Sequence, residues 1–366
     1  MGSWSGGGTA LRLAASAHED STAEQYDRHW RTFCEWCSQN GLEPLPATPR
    51  MVFAYIGALA ERGTIAADSL QPYLSAINSM HADSGLERPA VGHLIQRARQ
   101  GMRRGQALQQ TRDTRVPLLA QHVLTVLGDT LARASAQRER LTPRAWAIWL
   151  RRRYALVLGF VFMGRQDSCV ALLTVDHGVD DRHLWLRLTE KMRRGWAFRR
   201  VIRLPLDASP VRGHASALPQ LARLSRIYTE ARASLGTAGT PPAHFFQLPG
   251  EPRPLTRHMS AWLDATLSEV HIQVPPGFAY LGHSLRSGGS SAAEAIGVSR
   301  YRGNWLGGWS QTGRTRELHY IDPSVLPTPA AYALMGWLLE GGYSTGDAVW
   351  ERSAAARDVA DLGEQQ

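Results

Sequence analysis

The sequence carries an apolar run, YALVLGFVFMG at residues 154–164, near the end of a segment whose periodicity predicts a helix over residues 143–163. A helix that is apolar around its whole circumference is stable only when other elements surround it. Arg165 follows at once, so a charged side chain stands where a buried helix meets a polar turn. An ion pair of Arg165 with Asp167 or Asp176 is its simplest structural explanation.

A polar segment divides the chain. Residues 106–117, QALQQTRDTRVP, show no apolar periodicity and end in proline, which is typical of a linker. At 366 residues the chain is also too long for one ordinary core. We therefore expect five parts, which are a flexible N-terminal arm (1–20), a helical domain (21–105), a linker (106–117), a larger domain (118–345) and a C-terminal tail (346–366).

The smaller domain is predicted to contain four helices. Ser21 begins a capping-box pattern before the first, and Thr48 with Pro49 opens the second. A third helix ends before Gly85, and a fourth covers about residues 90–105 and ends in arginines.

The larger domain is predicted to be mainly helical with a small β-sheet. Two strand patterns, LWLRLTE and WAFRRVIRLPL, flank a polar turn, KMRRG, that begins with Lys191. Helices are predicted at residues 119–135, 143–163, 215–235, 255–270, 283–296, 299–306 and 328–340. The fold class is thus mainly α with a small β-sheet.

The basic residues favour a polyanionic partner such as nucleic acid. Lys and Arg number 41 against 32 Asp and Glu, a formal net charge of +9. Charge alone leaves a membrane surface open, but no apolar run is long enough to span a membrane and no secretory signal is visible. We therefore expect a soluble, intracellular protein with no membrane partner.

Lys191 is the single lysine in the sequence, and the other basic residues are arginines. Arginine can replace lysine wherever a charge or a phosphate contact is wanted, but a pKa above about 12 prevents it from donating a proton. The single lysine suggests proton transfer at this position. The alternative is that the coding sequence drifted towards arginine and left one lysine by chance.

Three cysteines are present. Cys34 and Cys37 form a C-x-x-C inside a helical pattern with no second ligand pair, and Cys169 stands apart. We expect buried thiols in a reducing compartment, and neither a metal nor another cofactor.

Four further candidate site residues lie in the last third of the chain. His283 and Arg286, in GHSLRSGG, are three residues apart and face the same way on a helix, so both can reach one phosphate. The small residues that follow allow close helix packing. Trp309 in LGGWS and Tyr320 in RELHYIDP come next, and each alone is a common residue in a common setting.

Together these blocks resemble the tyrosine recombinase, or phage integrase, family, from about residue 21 to residue 340. Five blocks agree in order and spacing, which are Gly164-Arg165 with Leu172 and Asp176 downstream, Lys191 at a β-turn, HSLR at 283–286, LGGW at 306–309, and Tyr320. The form HSLRSGG followed by AAEAIGV is most similar to recombinases of eukaryotic mobile elements.

The resemblance implies a site-specific DNA recombinase that cuts and rejoins strands through a 3′-phosphotyrosine intermediate, without metal or ATP. It implies a helical core-binding domain, a mixed α/β catalytic domain and a tetramer on double-stranded DNA. The implied roles are Tyr320 as nucleophile, Arg165 and Arg286 as phosphate clamp, Lys191 as general acid, His283 as its assistant and Trp309 in place of a usual histidine.

Three features depart from the family pattern. Ser168 stands where an acidic residue usually supports the first arginine, so Asp167 would have to take that role. The gap from Trp309 to Tyr320 is slightly longer than usual. His319, beside the implied nucleophile, is an extra imidazole that we expect at the surface.

The DNA-backbone contacts are expected from arginines of the fourth helix and of the Lys191 turn. These are Arg97, Arg103, Arg104, Arg193, Arg194, Arg199 and Arg200. The resemblance implies that helix 328–340 docks on a neighbouring subunit, and the alternative is that it packs on its own domain. Rival functions are a type IB topoisomerase or telomere resolvase, and a catalytically inactive DNA-binding regulator on the same fold.

Overall fold

The structure, a computed structural model, describes residues 20–63, 65–109, 116–189, 196–236, 242–254, 256–339 and 348–352. The chain divides into two compact units, residues 1–113 and 114–366. Among helices in the described ranges, none combines the length and the apolar character needed to cross a membrane.

The first unit contains the four predicted helices: α1 (Asp20–Gln39), α2 (Pro49–Arg62), α3 (Gln71–Asp83) and α4 (His93–Gln109). The Thr48 hydroxyl accepts from the Met51 amide and so caps α2, which ends at Gly63 in the left-handed conformation. Helix α1 packs on α3, and α2 packs on α4.

Helix α4 ends at Gln109 rather than near residue 105. The Gln106 side chain accepts from the Ala67 amide at 2.7 Å and donates to the Ile65 carbonyl at 2.8 Å. These two bonds attach the last part of α4 to the segment before α3, which explains why the helix continues into the segment predicted as linker.

The second unit contains the remaining helices: α5 (Ala120–Arg140), α6 (Pro143–Val161), α7 (Gln166–Val170), α8 (Leu218–Ala233), α9 (Thr256–Glu269), α10 (Gly282–Ala295), α11 (Arg300–Gly307), α12 (Thr315–His319) and α13 (Pro329–Met335). The long helices match their predictions within a few residues, and the five-residue α7 and α12 were not predicted. The expected class, mainly α with a small β-sheet, is confirmed.

The sheet is antiparallel with strand order β1 (His177–Val179), β2 (His183–Thr189), β3 (Trp196–Pro205) and β4 (Ala348–Arg352). The two predicted strands are β2 and β3, which pair with Leu186 opposite Ile202. Strand β4 pairs with β3 and lies where a tail was expected. A five-residue pattern is too short to distinguish an edge strand from a tail by sequence. The strand is defined by its pairing with β3, which the local sequence does not record.

Helix α6 is the centre of the second unit, as its apolar run predicts. Every residue from 153 to 161 is buried, and α5, α8, α9 and α10 pack around the helix. Buried charge is compensated: Arg153 pairs with Asp129 at 3.0 Å and with Glu269 at 2.9 Å. A buried guanidinium needs such partners because desolvation penalises an uncompensated charge.

Helix α13 is shorter than the predicted 328–340 segment and continues as a 3-10 turn, Gly336–Leu338. Its apolar residues are buried against α5 and α10 of the same unit. The segment thus packs on its own domain in the single chain, and its docking on a neighbouring subunit stays a prediction.

Two glycines let α10 approach α6 and the segment before α5 closely. A Cβ on Gly288 would lie 2.1 Å from the Leu118 carbonyl oxygen, and one on Gly289 would lie 2.3 Å from the Phe160 carbonyl oxygen. The small residues after Arg286 are thus required by packing, and the close approach fixes the depth of α10 against the core helix.

We expect Gly289→Ala to lower the free energy of unfolding by about 1–3 kcal/mol, because backbone must move to admit the methyl group. Gly128→Ala is the matched control, since a Cβ there has no atom within 4 Å and alanine favours a helix interior by about 1 kcal/mol. Urea unfolding followed by tryptophan fluorescence measures both. A Gly289→Ala protein as stable as the wild type would contradict the packing argument.

Candidate active site

Arg286 joins three parts of the second unit. Its side chain, 2% exposed, projects from the first turns of α10 and donates to the carbonyl oxygen of Met163, just beyond α6, and to that of Gly307, at the end of α11, the latter at 2.7 Å. A guanidinium has five N–H donors, more than two carbonyls require. Arg286 can therefore hold both helix ends with one side chain.

Trp309 covers the Arg286 guanidinium. The Arg286 Cζ atom lies 3.8 Å from the centre of the indole, a cation–π contact. Two glycines make this possible: Gly308 ends α11 in the left-handed conformation, and a Cβ on Gly307 would lie 1.8 Å from the indole ring. The LGGW motif therefore turns Trp309 back onto the end of its own helix.

Tyr320 completes an aromatic and cationic cluster. Its ring lies 5.1 Å from the Trp309 ring and 5.1 Å from the Arg286 Cζ atom. The His283 ring lies 6.3 Å away and nearly parallel to it. The structure thus brings together four of the six predicted site residues, namely His283, Arg286, Trp309 and Tyr320.

His283 lies in the first turn of α10, and Gln166 caps that turn. In the side-chain orientation that satisfies its hydrogen bonds, the Gln166 amide oxygen accepts from the backbone N–H groups of His283 at 2.7 Å and Gly282 at 3.2 Å. Gly282 leaves room for this contact, because a Cβ there would lie 2.2 Å from the Gln166 Cδ atom. The sequence alone gave no reason to select Gln166.

Arg165 is exposed and precedes α7 in an extended conformation. Its neighbours on either side touch the cluster, since Met163 accepts from Arg286 and Gln166 caps the helix of His283. Asp167, the expected support of Arg165, accepts a hydrogen bond from the Thr256 hydroxyl. The structure places Arg165 beside the cluster, and its role as a phosphate clamp stays a prediction.

Lys191 falls outside the described residues, as do Arg193 and Arg194. The strands that flank them are described, and Thr189 on β2 pairs with Arg199 on β3. Arg199 and Arg200 lie on β3, with side chains outside the described set. The two predicted strands on either side of Lys191 are thus present and paired.

The other predicted DNA contacts lie in the first unit, on the surface of α4. Arg97, Arg103 and Arg104 are all exposed there. Leu94 of the same helix is also exposed, whereas Ile95 and Met102 supply the core contacts of α4. His319 is exposed, as predicted.

The cysteines are free thiols, and Cys37 and Cys169 are buried, as predicted. Burial raises the pKa of Cys37 to about 11 and that of Cys169 to about 12, which disfavours the thiolate that binds metals. Within the described residues, no group of three or more His, Cys, Asp or Glu is arranged to hold a metal ion.

Comparisons with known proteins bear on this fold. No protein-family model matches the chain. A 98-residue stretch, 26% of the chain, is 30% identical to an integrase/recombinase XerD homologue of Selenomonas ruminantium and spans 28% of that relative. A λ integrase (75–356) dimer bound to a COC′ core site aligns over 86% of this chain and 93% of its own, with 17% identity and a TM-score of 0.49.

The XerH site-specific recombinase, bound to its difH substrate before cleavage, aligns over 82% of this chain and 76% of its own, with 10% identity and a TM-score of 0.53. The chain has the fold of this recombinase structure. That fold agrees with the family resemblance seen in the sequence. In this recombinase fold the cluster of Arg286, His283, Trp309 and Tyr320 joins α10 to the chain beyond α11.

The cap on α10 of the recombinase fold can be tested by stability. Gln166→Ala is expected to lower the free energy of unfolding by about 1 kcal/mol, because the His283 N–H loses its acceptor and the Gly282 N–H keeps only the Ser260 hydroxyl. Gln166→Glu keeps an acceptor and adds a negative charge that the helix N-terminus favours. Urea unfolding measures both.

Gln121→Ala, at an exposed position of α5, is the control and should change stability by less than about 0.5 kcal/mol. Equal stabilities of Gln166→Ala and the wild type would show that the cap contributes nothing.

Proposed function

We propose that this chain is a site-specific DNA recombinase that cuts and rejoins strands through a 3′-phosphotyrosine at Tyr320, without metal or ATP. One observation carries the proposal: the phenol ring lies 5.1 Å from the Arg286 guanidinium carbon and stacks near His283. A nucleophile, a phosphate-binding cation and an imidazole thus surround one point at the surface of the second unit.

The chemistry requires such an arrangement. A phosphodiester is anionic and resists attack, so guanidinium groups of Arg286 and Arg165 would neutralise the charge that grows on its non-bridging oxygens in the transition state. The Tyr320 oxygen forms the new bond to phosphorus and gives up its proton with the assistance of His283, while the bond to the 5′ oxygen breaks. The strand is then held as an ester of similar energy, so religation is the reverse reaction and needs no ATP.

The leaving 5′ oxygen must receive a proton. We assign this to Lys191, because an ammonium group with a lowered pKa can donate and a guanidinium cannot. His283 would assist proton transfer, and the Trp309 indole N–H would donate a hydrogen bond to a phosphate oxygen. The pairing of β2 with β3 supports this assignment, since these are the two strands that the sequence predicted on either side of Lys191.

DNA binding is proposed for arginines of both units. Those of α4 have exposed side chains, and those around Lys191 are assigned from the sequence. Together they are Arg97, Arg103, Arg104, Arg193, Arg194, Arg199 and Arg200. Such contacts neutralise phosphates and make binding weaken as salt rises.

We further propose a tetramer on DNA. Recombination between two duplexes breaks four strands, and each chain carries one Tyr320. Four subunits therefore supply one nucleophile for each strand.

Two rival functions use the same fold. A type IB topoisomerase or a telomere resolvase shares the chemistry, and a catalytically inactive regulator binds DNA without it. Relaxation of a supercoiled plasmid without a selected target site would favour the topoisomerase. The cluster around Tyr320 speaks against the inactive regulator, since a regulator has no need to keep a phenol beside a buried guanidinium.

Tyr320→Phe is expected to bind DNA like the wild type and to form no covalent adduct, because the attacking oxygen is lost. The substrate is a nicked duplex selected from a randomised pool by denaturant-stable attachment to the wild-type protein. Gel electrophoresis under denaturing conditions measures the adduct, and a mobility-shift assay measures binding. An adduct from Tyr320→Phe would overturn the assignment of the nucleophile.

Lys191→Arg is expected to slow cleavage by about 10²–10⁴-fold, because the charge is kept and the transferable proton is lost. A substrate with sulfur at the bridging 5′ position has a leaving group that needs no proton, so it should restore the rate. Lys191→Arg without rescue by this substrate would argue against general-acid catalysis, and the wild type with both substrates is the control.

A further inference from the structure

The segment that ends in Tyr320 has few apolar contacts to hold it. Helix α12 has only five residues, and Leu318 within it is 65% exposed. Residues 310–312 and 314 before it, and Thr315 and His319 within it, are also exposed. A short exposed helix is marginal in water, so something else must fix the position of the phenol.

Arg316 is the buried exception in this segment, with 0% exposure. Its Nε donates to the Ser290 hydroxyl at 2.8 Å and its Nη2 to the Ser290 carbonyl at 3.2 Å. The same Nη2 lies 3.0 Å from a carboxylate oxygen of Glu294. Arg316 therefore binds two successive turns of α10.

Backbone hydrogen bonds connect Tyr320 to Arg316 and to α10. The Tyr320 amide donates to the Arg316 carbonyl at 2.9 Å. On the far side, the Ser291 hydroxyl donates to the Tyr320 carbonyl at 3.3 Å and accepts from the Asp322 amide at 2.8 Å. Tyr320 is thus held on one side by Arg316, which is itself bonded to α10, and on the other by Ser291 of α10.

The fold makes room for the guanidinium. A Cβ on Gly303, in α11, would lie 2.6 Å from the Arg316 Cζ atom. Burial lowers the pKa of Arg316, whereas the Glu294 carboxylate raises it. The ion pair with Glu294 offsets part of the desolvation cost, so a buried charge at this place is sustained by a specific partner.

We propose that Arg316 is a positioning residue for Tyr320, and this rests on the proposed function. Its guanidinium fixes the Tyr320 segment to α10, the helix that carries His283 and Arg286. One helix then sets both the place of the phosphate and the approach of the phenol. Geometry matters to this extent because a misplacement of about 1 Å can cost about 100-fold in rate.

The main test is Arg316→Met, which keeps the length of the side chain and removes its donors. At saturating selected duplex, we expect the rate of adduct formation to fall about 100-fold while the dissociation constant of the DNA stays within about twofold. A merely structural role would weaken both quantities together. That result, or an unchanged rate, would overturn the proposal.

Arg316→Lys should recover about tenfold of the loss, since an ammonium can pair with Glu294 but cannot reproduce the fork of the guanidinium. Arg314→Met is the matched control, because Arg314 is an exposed arginine of the same segment, and its rate should equal that of the wild type. A loss in Arg314→Met equal to that in Arg316→Met would assign the effect to charge rather than to anchorage.

Ser291→Ala serves where Arg316→Met fails to fold. It removes one hydroxyl that bridges Tyr320 and Asp322, and about a tenfold lower adduct rate is expected. Hydrogen exchange should also quicken at the Tyr320 amide in Arg316→Met and Ser291→Ala but not within α6. Unchanged exchange and rate in Ser291→Ala would count against the anchor.

Failure of the proposed function and failure of the anchoring role of Arg316 give different experimental results. If the wild type forms no adduct with any duplex in the pool, the proposed function fails, and the role of Arg316 fails with it. If the wild type forms the adduct and Arg316→Met does so equally fast, only the anchor fails.

Discussion

The second unit depends on the buried guanidinium of Arg286. It bonds to carbonyl groups at the ends of two helices, α6 and α11, that do not follow one another in the chain. An apolar side chain could fill the same volume but would leave those carbonyls without a donor, which costs about 1–3 kcal/mol for each buried group. Because Trp309 covers the cation, the charge also lies where solvent is limited and an anion would feel it strongly. The same group thus stabilises the fold and prepares the site.

The depth of Arg286 follows from the packing of α10. Gly288 and Gly289 bring that helix into backbone contact with its neighbours, so its first turns cannot shift without moving α6. Gln166 closes the N-terminus of the same helix. A rigid helix with a capped end can present His283 and Arg286 in one geometry, and this is what preorganised binding of a phosphate requires. The packing of α10 on the core therefore fixes the positions of the site residues.

The sequence predicted much of this, for identifiable reasons. The apolar run of α6, the alternation in β2 and β3 and the three-residue spacing of His283 and Arg286 are local patterns, and all appear in the structure. The sequence could not predict β4, the anchor formed by Arg316 or the cap formed by Gln166. These depend on contacts between residues far apart in the chain, and no local periodicity records them.

The arrangement also explains why arginine and lysine are not interchangeable in this chain. Arg286, Arg316 and Arg153 each bind two or more partners from a buried position, a task that suits a planar fork with several fixed donors. A lysine in their places would offer one compact charge, and it could lose its proton when desolvated. The property that makes lysine a poor structural cation is the property that proton transfer needs. A chain that uses arginine for every other basic position and keeps lysine at residue 191 alone is consistent with this division of tasks.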